Sequence, residues 1–125
     1  MNEASKTFVD RTIADPEHPV TLFSLSWCSY CRAARQLLEQ LGISYQVFEL
    51  DRGEFLEPRL QDEVRTRLQE LTDSRTLPQL FIGGESLGGY TDTAAARGNG
   101  RLAAVLAKHA IEWTPHKPKS PELKN

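Results

Sequence analysis

Two cysteines, Cys28 and Cys31, lie where the hydropathy pattern of the chain changes period. Before them Val20-Thr21-Leu22-Phe23-Ser24-Leu25 is a compact, partly β-branched apolar run bounded by Pro16 and Pro19, which predicts a buried strand. After them Ala34, Leu37, Leu38 and Leu41 share one helical face, and Gly42 ends a helix that begins at the cysteine pair. Ile43 to Leu50 alternates as a second strand, parallel to the first because a whole helix joins them. A βαβ unit with C-x-x-C at its first turn restricts the chain to an α/β domain built on one central sheet.

The flanking segments extend that unit. Phe8, Val9 and Ile13 predict a short opening helix from Ser5 to Ala14, stopped by Asp15-Pro16. Leu60, Val64, Leu68 and Leu71 mark an amphipathic helix over Arg59 to Leu71, whose charges read as its wet face. Pro78 to Ile82, Gly83-Gly84 and Glu85 to Gly89 read as a hairpin, and one last helix carries Leu102, Val105, Leu106 and Ile111 inward. The order is then α-β-α-β-α-β-β-α. Residues 1–113 form one domain, and residues 114–125, rich in proline and poor in apolar side chains, read as a disordered tail. Asp51 to Pro58 suggests no role.

The 125 residues, 39% hydrophobic, suffice for one modest core. A net charge of -2 lacks the basic field that phosphate backbones select, so nucleic acid is not expected as a partner. The opening residues carry neither a basic patch nor an apolar run, which points away from secretion and membranes and toward the cytoplasm. Both cysteines sit in the one C-x-x-C, leaving none for a disulfide framework.

A thiol at the junction of a strand and a helix meets unpaired backbone N–H groups and the positive end of the helix dipole. Within C-x-x-C this lowers its pKa, so Cys28 is the expected nucleophile and Cys31, one turn inward, the resolving thiol. Half of a zinc site is the alternative use of such a pair, but His18, His109 and His116 are badly placed to complete it.

The stretch Phe23 to Cys31 resembles the strand-to-helix junction of dithiol glutaredoxins, whose middle pair is commonly Pro-Tyr or Ser-Tyr. Arg75-Thr76-Leu77-Pro78 is similar to that family's Thr-Val-Pro element, and Gly88-Gly89-Tyr90-Thr91-Asp92 to its Gly-Gly-x-x-Asp element. The resemblance runs from about Val20 to Ala107. It implies a thioredoxin-like fold, a central four-stranded mixed sheet flanked by helices, and glutathione-dependent reduction of mixed and protein disulfides. It also implies that the Leu77–Pro78 bond is cis, faces the active thiol, and lets Leu77 offer its backbone to the cysteine unit of glutathione. Tyr30, Arg75, Thr76, Leu77, Pro78, Gly89, Tyr90, Thr91 and Asp92 become the expected glutathione ligands. At the glutamyl end Asp92 and the N–H groups of Tyr90 and Thr91 meet the ammonium and carboxylate. The chain departs from the family at Leu25, where a lysine is usual; Arg75 and Arg32 are the nearest cations in sequence.

Two other readings share these motifs. Some glutaredoxins hold a [2Fe-2S] cluster between two subunits with glutathione as co-ligand, and Ser29 in place of proline leaves room for one on Cys28. No other metal is expected, and the chain is expected to be a monomer unless it binds a cluster. A thioredoxin would also carry C-x-x-C and a downstream proline, but its middle pair is typically Gly-Pro and it lacks the Gly88 to Asp92 element.

Overall fold

The computed structural model describes residues 3–114, with side chains from Phe8 onward. Its elements are α1 (Glu3–Ala14), β1 (Val20–Ser24), α2 (Ser29–Gln40), β2 (Gln46–Glu49), α3 (Pro58–Thr72), β3 (Gln79–Ile82), β4 (Glu85–Gly88), α4 (Tyr90–Asn99) and α5 (Arg101–Lys108), with a 3₁₀ turn at Gly53–Leu56. The four strands form one sheet in the order β2-β1-β3-β4, in which β1 and β2 run parallel and the other two pairings are antiparallel. This is the mixed four-stranded sheet flanked by helices that the βαβ unit and the hairpin together require.

Alternation along the central strands gives the sheet two apolar faces. Val20, Leu22, Leu80 and Ile82 belong to one cluster with Leu37, Leu38, Leu102 and Leu106. Phe23 and Phe81 belong to the other, with Val9, Val64, Leu68, Leu25 and Cys31. Helices α2, α4 and α5 thus cover one side, and α1 with α3 the other. Because β1 is covered on both faces it is buried at every position, which is why its sequence reads as a continuous apolar run.

Several boundaries differ from the sequence reading, each for a local reason. The second strand starts at Gln46, not Ile43, because a Schellman turn consumes the first residues: Gly42 N–H donates to Glu39 and Ile43 N–H to Leu38, with Gly42 at φ 66°. The last helix is two helices, split at Gly100, whose φ of 88° ends α4. Ile111 lies beyond α5 and folds back onto the core through a hydrogen bond to the Leu106 carbonyl. The charges of α3 are more than a wet face. Arg67 forks onto both carboxylate oxygens of Asp10 at 2.9 and 3.0 Å and so ties α3 to α1. Of the expected tail, Thr114 donates its N–H to the Leu41 carbonyl at 2.6 Å, and residues 115–125, with His116, lie outside the described part.

Candidate active site

The seam between β1 and α2 carries the cysteine pair. Cys28 is the N-cap of α2, and its sulfur accepts a hydrogen bond from the Cys31 N–H at 3.4 Å. A side-chain acceptor at this position does what serine or aspartate does at other helix starts: it satisfies an amide the helix leaves unpaired. Both cysteines are free thiols; Cys28 is half-buried and Cys31 fully buried.

Burial separates the two sulfurs electrostatically. For Cys28, partial desolvation works upward, but the N–H groups of Cys31 and Tyr30 and the Cys31 thiol outweigh it and hold Cys28 below the ordinary thiol range. For Cys31, desolvation dominates and pushes the thiol up, even though the Ser24 hydroxyl and the Leu25 N–H, 3.3 Å away, act against it. Thiolate is therefore favoured at the outer sulfur and thiol at the inner one.

A groove of about 350 Å³ opens at the start of α2, lined by Tyr30, two residues after Cys28, by Thr76, Leu77, Pro78, Gly88, Gly89, Tyr90, Thr91 and Asp92, and by Thr72, Ser74, Gln79 and Ser86. Three segments far apart in sequence meet there. The Leu77–Pro78 bond is cis and Pro78 is buried at the start of β3. Leu77 and Cys28 pack on the same apolar cluster that encloses Cys31. Across the groove, the Tyr30 and Tyr90 rings face each other with centroids 6.4 Å apart and planes 32° from parallel.

The Gly88-Gly89 step explains how the third segment comes so close. Gly88 sits at φ 81°, and a Cβ there would collide with the Asp92 carboxylate; a Cβ on Gly89 would stand 3.4 Å from the Pro78 carbonyl oxygen. Asp92 reaches back to accept the Gly89 N–H at 3.2 Å. Tyr90 and Thr91 open α4, so their N–H groups have no partner within the helix and point toward its N-terminal end.

Arg75 does not join this groove. Its guanidinium turns to α3, where it meets Asp62 at 2.6 Å and Thr66 at 2.9 Å. Arg32 is exposed on α2. Leu25, in the place where lysine was expected, is buried in the cluster around Cys31. One cation went unnoticed in sequence: Arg65, whose Nη1 reaches the Arg75 carbonyl at 3.4 Å while its buried Nε has no hydrogen-bond partner. Its position inside a charged helix gave no signal of that burial. Asp51, in the segment without an assigned role, accepts both the N–H and the hydroxyl of Ser26, at 3.0 and 2.6 Å.

A thioredoxin-like fold with a thiolate-favouring N-cap cysteine and a buried partner one turn away defines a thiol-disulfide oxidoreductase. Comparison with known proteins narrows the class. The family model for glutaredoxins matches residues 20–87. Monothiol glutaredoxin-S10 of Oryza sativa subsp. japonica is 39% identical over 104 residues, covering 83% of this chain and 60% of the rice protein. A glutaredoxin of Ricinus communis is 39% identical over 89 residues, 71% of this chain and 82% of that one. The crystal structure of a buckwheat glutaredoxin-glutathione complex aligns with a TM-score of 0.76 at 28% identity, over 86% of this chain and 92% of its own. The chain belongs to the glutaredoxin family.

Proposed function

We propose that this glutaredoxin reduces protein-glutathione mixed disulfides through Cys28, with Cys31 serving as resolving thiol when the substrate is a protein disulfide. The observation that carries the reading is the convergence of Tyr30, the Leu77–Pro78 loop and the Gly88 to Asp92 turn on one groove, with Leu77 packed on the same cluster as Cys28. In that groove Thr76 and Leu77 offer backbone groups to the cysteine unit of the tripeptide. The N–H groups of Tyr90 and Thr91 take its glutamyl carboxylate, and Asp92, alongside Gly89, takes its ammonium. The buckwheat complex with glutathione, on the same fold, supports this choice of ligand. Arg75 is paired with Asp62 and stands outside the lining of this groove.

The Cys28 thiolate attacks the glutathione sulfur of the mixed disulfide. A Cys28–glutathione disulfide forms, the protein sulfur leaves as thiolate and takes a proton from solvent. A second glutathione, as thiolate, attacks the bound glutathionyl sulfur, regenerating the Cys28 thiolate and releasing glutathione disulfide. Overall the incoming glutathione sulfur is oxidised from thiol to disulfide level as the protein sulfur is reduced from disulfide to thiol level, and the glutathionyl sulfur stays at disulfide level throughout. With a protein disulfide, Cys31 displaces the substrate sulfur from Cys28 and leaves a Cys28–Cys31 disulfide for glutathione to reduce.

The test is turnover of a glutathionylated peptide and of a protein disulfide by wild type, Cys28→Ser and Cys31→Ser. Cys28→Ser is expected to lose both activities and Cys31→Ser only the second. Persistent peptide turnover in Cys28→Ser would refute the assignment.

A [2Fe-2S] cluster needs several thiolate ligands, and this chain presents one accessible sulfur, at Cys28, with Cys31 buried behind it. One such sulfur per subunit is what a cluster shared between two subunits, with glutathione as co-ligand, would use at Cys28, so that alternative stands beside the thiol chemistry and no step is assigned to it. No described helix is long and apolar enough to cross a membrane. Action in the cytoplasm belongs to the same proposal; cell fractionation with an antibody to this chain tests it.

A further inference from the structure

The turn that delivers Cys28 to the head of α2 runs from Leu25 to Trp27, and little in its own sequence holds it. Trp27 is 71% exposed. Leu25 is anchored through its N–H to the Cys31 sulfur. Between them Ser26 is gripped from outside the turn: Asp51 Oδ1 accepts its N–H at 3.0 Å and Oδ2 accepts its hydroxyl at 2.6 Å. Both oxygens of one carboxylate are spent on a single residue two positions before the nucleophile.

Asp51 is itself firmly placed. Leu50 N–H donates to the Ser24 carbonyl at 2.9 Å, continuing the β1–β2 ladder to the edge of the turn, and Gln61 on α3 donates to the Leu50 carbonyl at 2.6 Å. Leu50 and Phe55, on either side of Asp51, are buried in the cluster that holds Leu25 and Cys31. Partial burial works against the Asp51 charge, but the two Ser26 donors keep the carboxyl below its usual range, so it accepts as an anion at neutral pH. The remaining charge nearby, Arg52, is paired with Glu49 at 3.2 Å.

We propose that Asp51 is a positioning residue for the thiol chemistry: by clamping Ser26 it fixes the Leu25–Trp27 turn, and thereby the aim of the α2 amides on Cys28. The reasoning rests on Cys28 as the attacking thiol. An N-cap hydrogen bond is steeply directional, so a turn free to rock moves the sulfur off the Cys31 N–H and surrenders the stabilisation of the thiolate. The clamp replaces a positive side chain by geometry. With Leu25 apolar and buried, no cation on the turn itself stabilises the sulfur.

Charge and positioning predict opposite signs, which makes the proposal testable. A carboxylate near the thiol disfavours thiolate through space, so if charge were its only influence, removing it would lower the Cys28 pKa. If the clamp matters, removing it raises that pKa. The experiment measures the pH dependence of iodoacetamide alkylation, with mass spectrometry identifying Cys28 as the modified residue, together with kcat/KM on a glutathionylated peptide.

Asp51→Ala is expected to raise the alkylation midpoint by about one pH unit and to lower kcat/KM about tenfold. Asp51→Asn, which retains an oxygen to accept the Ser26 N–H, returns most of both. Ser26→Ala keeps the backbone bond, loses the hydroxyl bond and falls between. An unchanged or lowered midpoint in Asp51→Ala overturns the proposal, as does an Asp51→Asn protein indistinguishable from Asp51→Ala. Peptide turnover surviving in Cys28→Ser would instead overturn the underlying assignment, whatever the alkylation midpoints.

Discussion

The groove is built between two helix starts, and they use the same unpaired amides in opposite ways. At α2 the N-cap side chain is the reactive group: the Cys28 sulfur accepts the Cys31 N–H, and the helix end holds negative charge on the protein's own atom. At α4 the cap position is Gly89, which has no side chain, and the carboxylate of Asp92 reaches back from within the first turn. The first amides of α4 stay open for a ligand. A helix start becomes a nucleophile when its cap is a thiol, and a receptor when its cap is a glycine.

That contrast is broken or sharpened by changing one helix start and reading both. The largest effect is expected from Gly88→Val. A β-branched residue at φ 81° also drives its Cβ into the Asp92 carboxylate, so the α4 start must move. KM for a glutathionylated peptide is expected to rise about a hundredfold, as for a misplacement of about 1 Å, while the alkylation midpoint of Cys28 stays in place. A shift of that midpoint would mean that the two helix starts are mechanically one.

Next in size is the pH response of α2. Cys28 lies below the ordinary thiol range, and only its thiolate attacks. On lowering the pH through that pKa, kcat/KM is expected to fall about tenfold per unit; above it the profile levels off, at lower pH than for a free thiol. A profile still rising at pH 8 to 9, where free thiols titrate, would break the claim that the cap activates the sulfur.

Asp92→Ala follows, with KM raised about tenfold through the loss of a charged hydrogen-bonding group and kcat nearly unchanged. An equal fall in kcat would place Asp92 in the chemical step. The smallest effect belongs to the ring pair that bridges the two helix starts. Tyr90→Ala is expected to raise KM about threefold to tenfold, the worth of an aromatic contact. Tyr90→Phe, which keeps the ring, should match wild type in the same assay.

Much of this was legible in the chain. The βαβ unit showed because a buried strand and an amphipathic helix have different periods, and the three site motifs are short and local. Their failures were also local. The sequence reading placed the helix stop at Gly42 but began the next strand at Ile43, whose N–H the Schellman turn takes, and it missed the break at Gly100, where a φ of 88° ends α4. Arg75 was legible as a cation beside Thr76 but not as a partner of Asp62, because that contact joins the loop to a helix residue 13 positions away.

By itself the sequence determined that a thiol would cap a helix after a buried strand, since periodicity and the position of Cys28 are properties of neighbouring residues. Only the tertiary structure decided what surrounds that thiol. The sheet order brings Pro78 and Gly88-Gly89 to the face of the groove, and the β1–β2 ladder carries Asp51 across to Ser26, 25 residues back in the chain. Pairing across such distances depends on the joint packing of the whole sheet, and no local pattern of side chains records it.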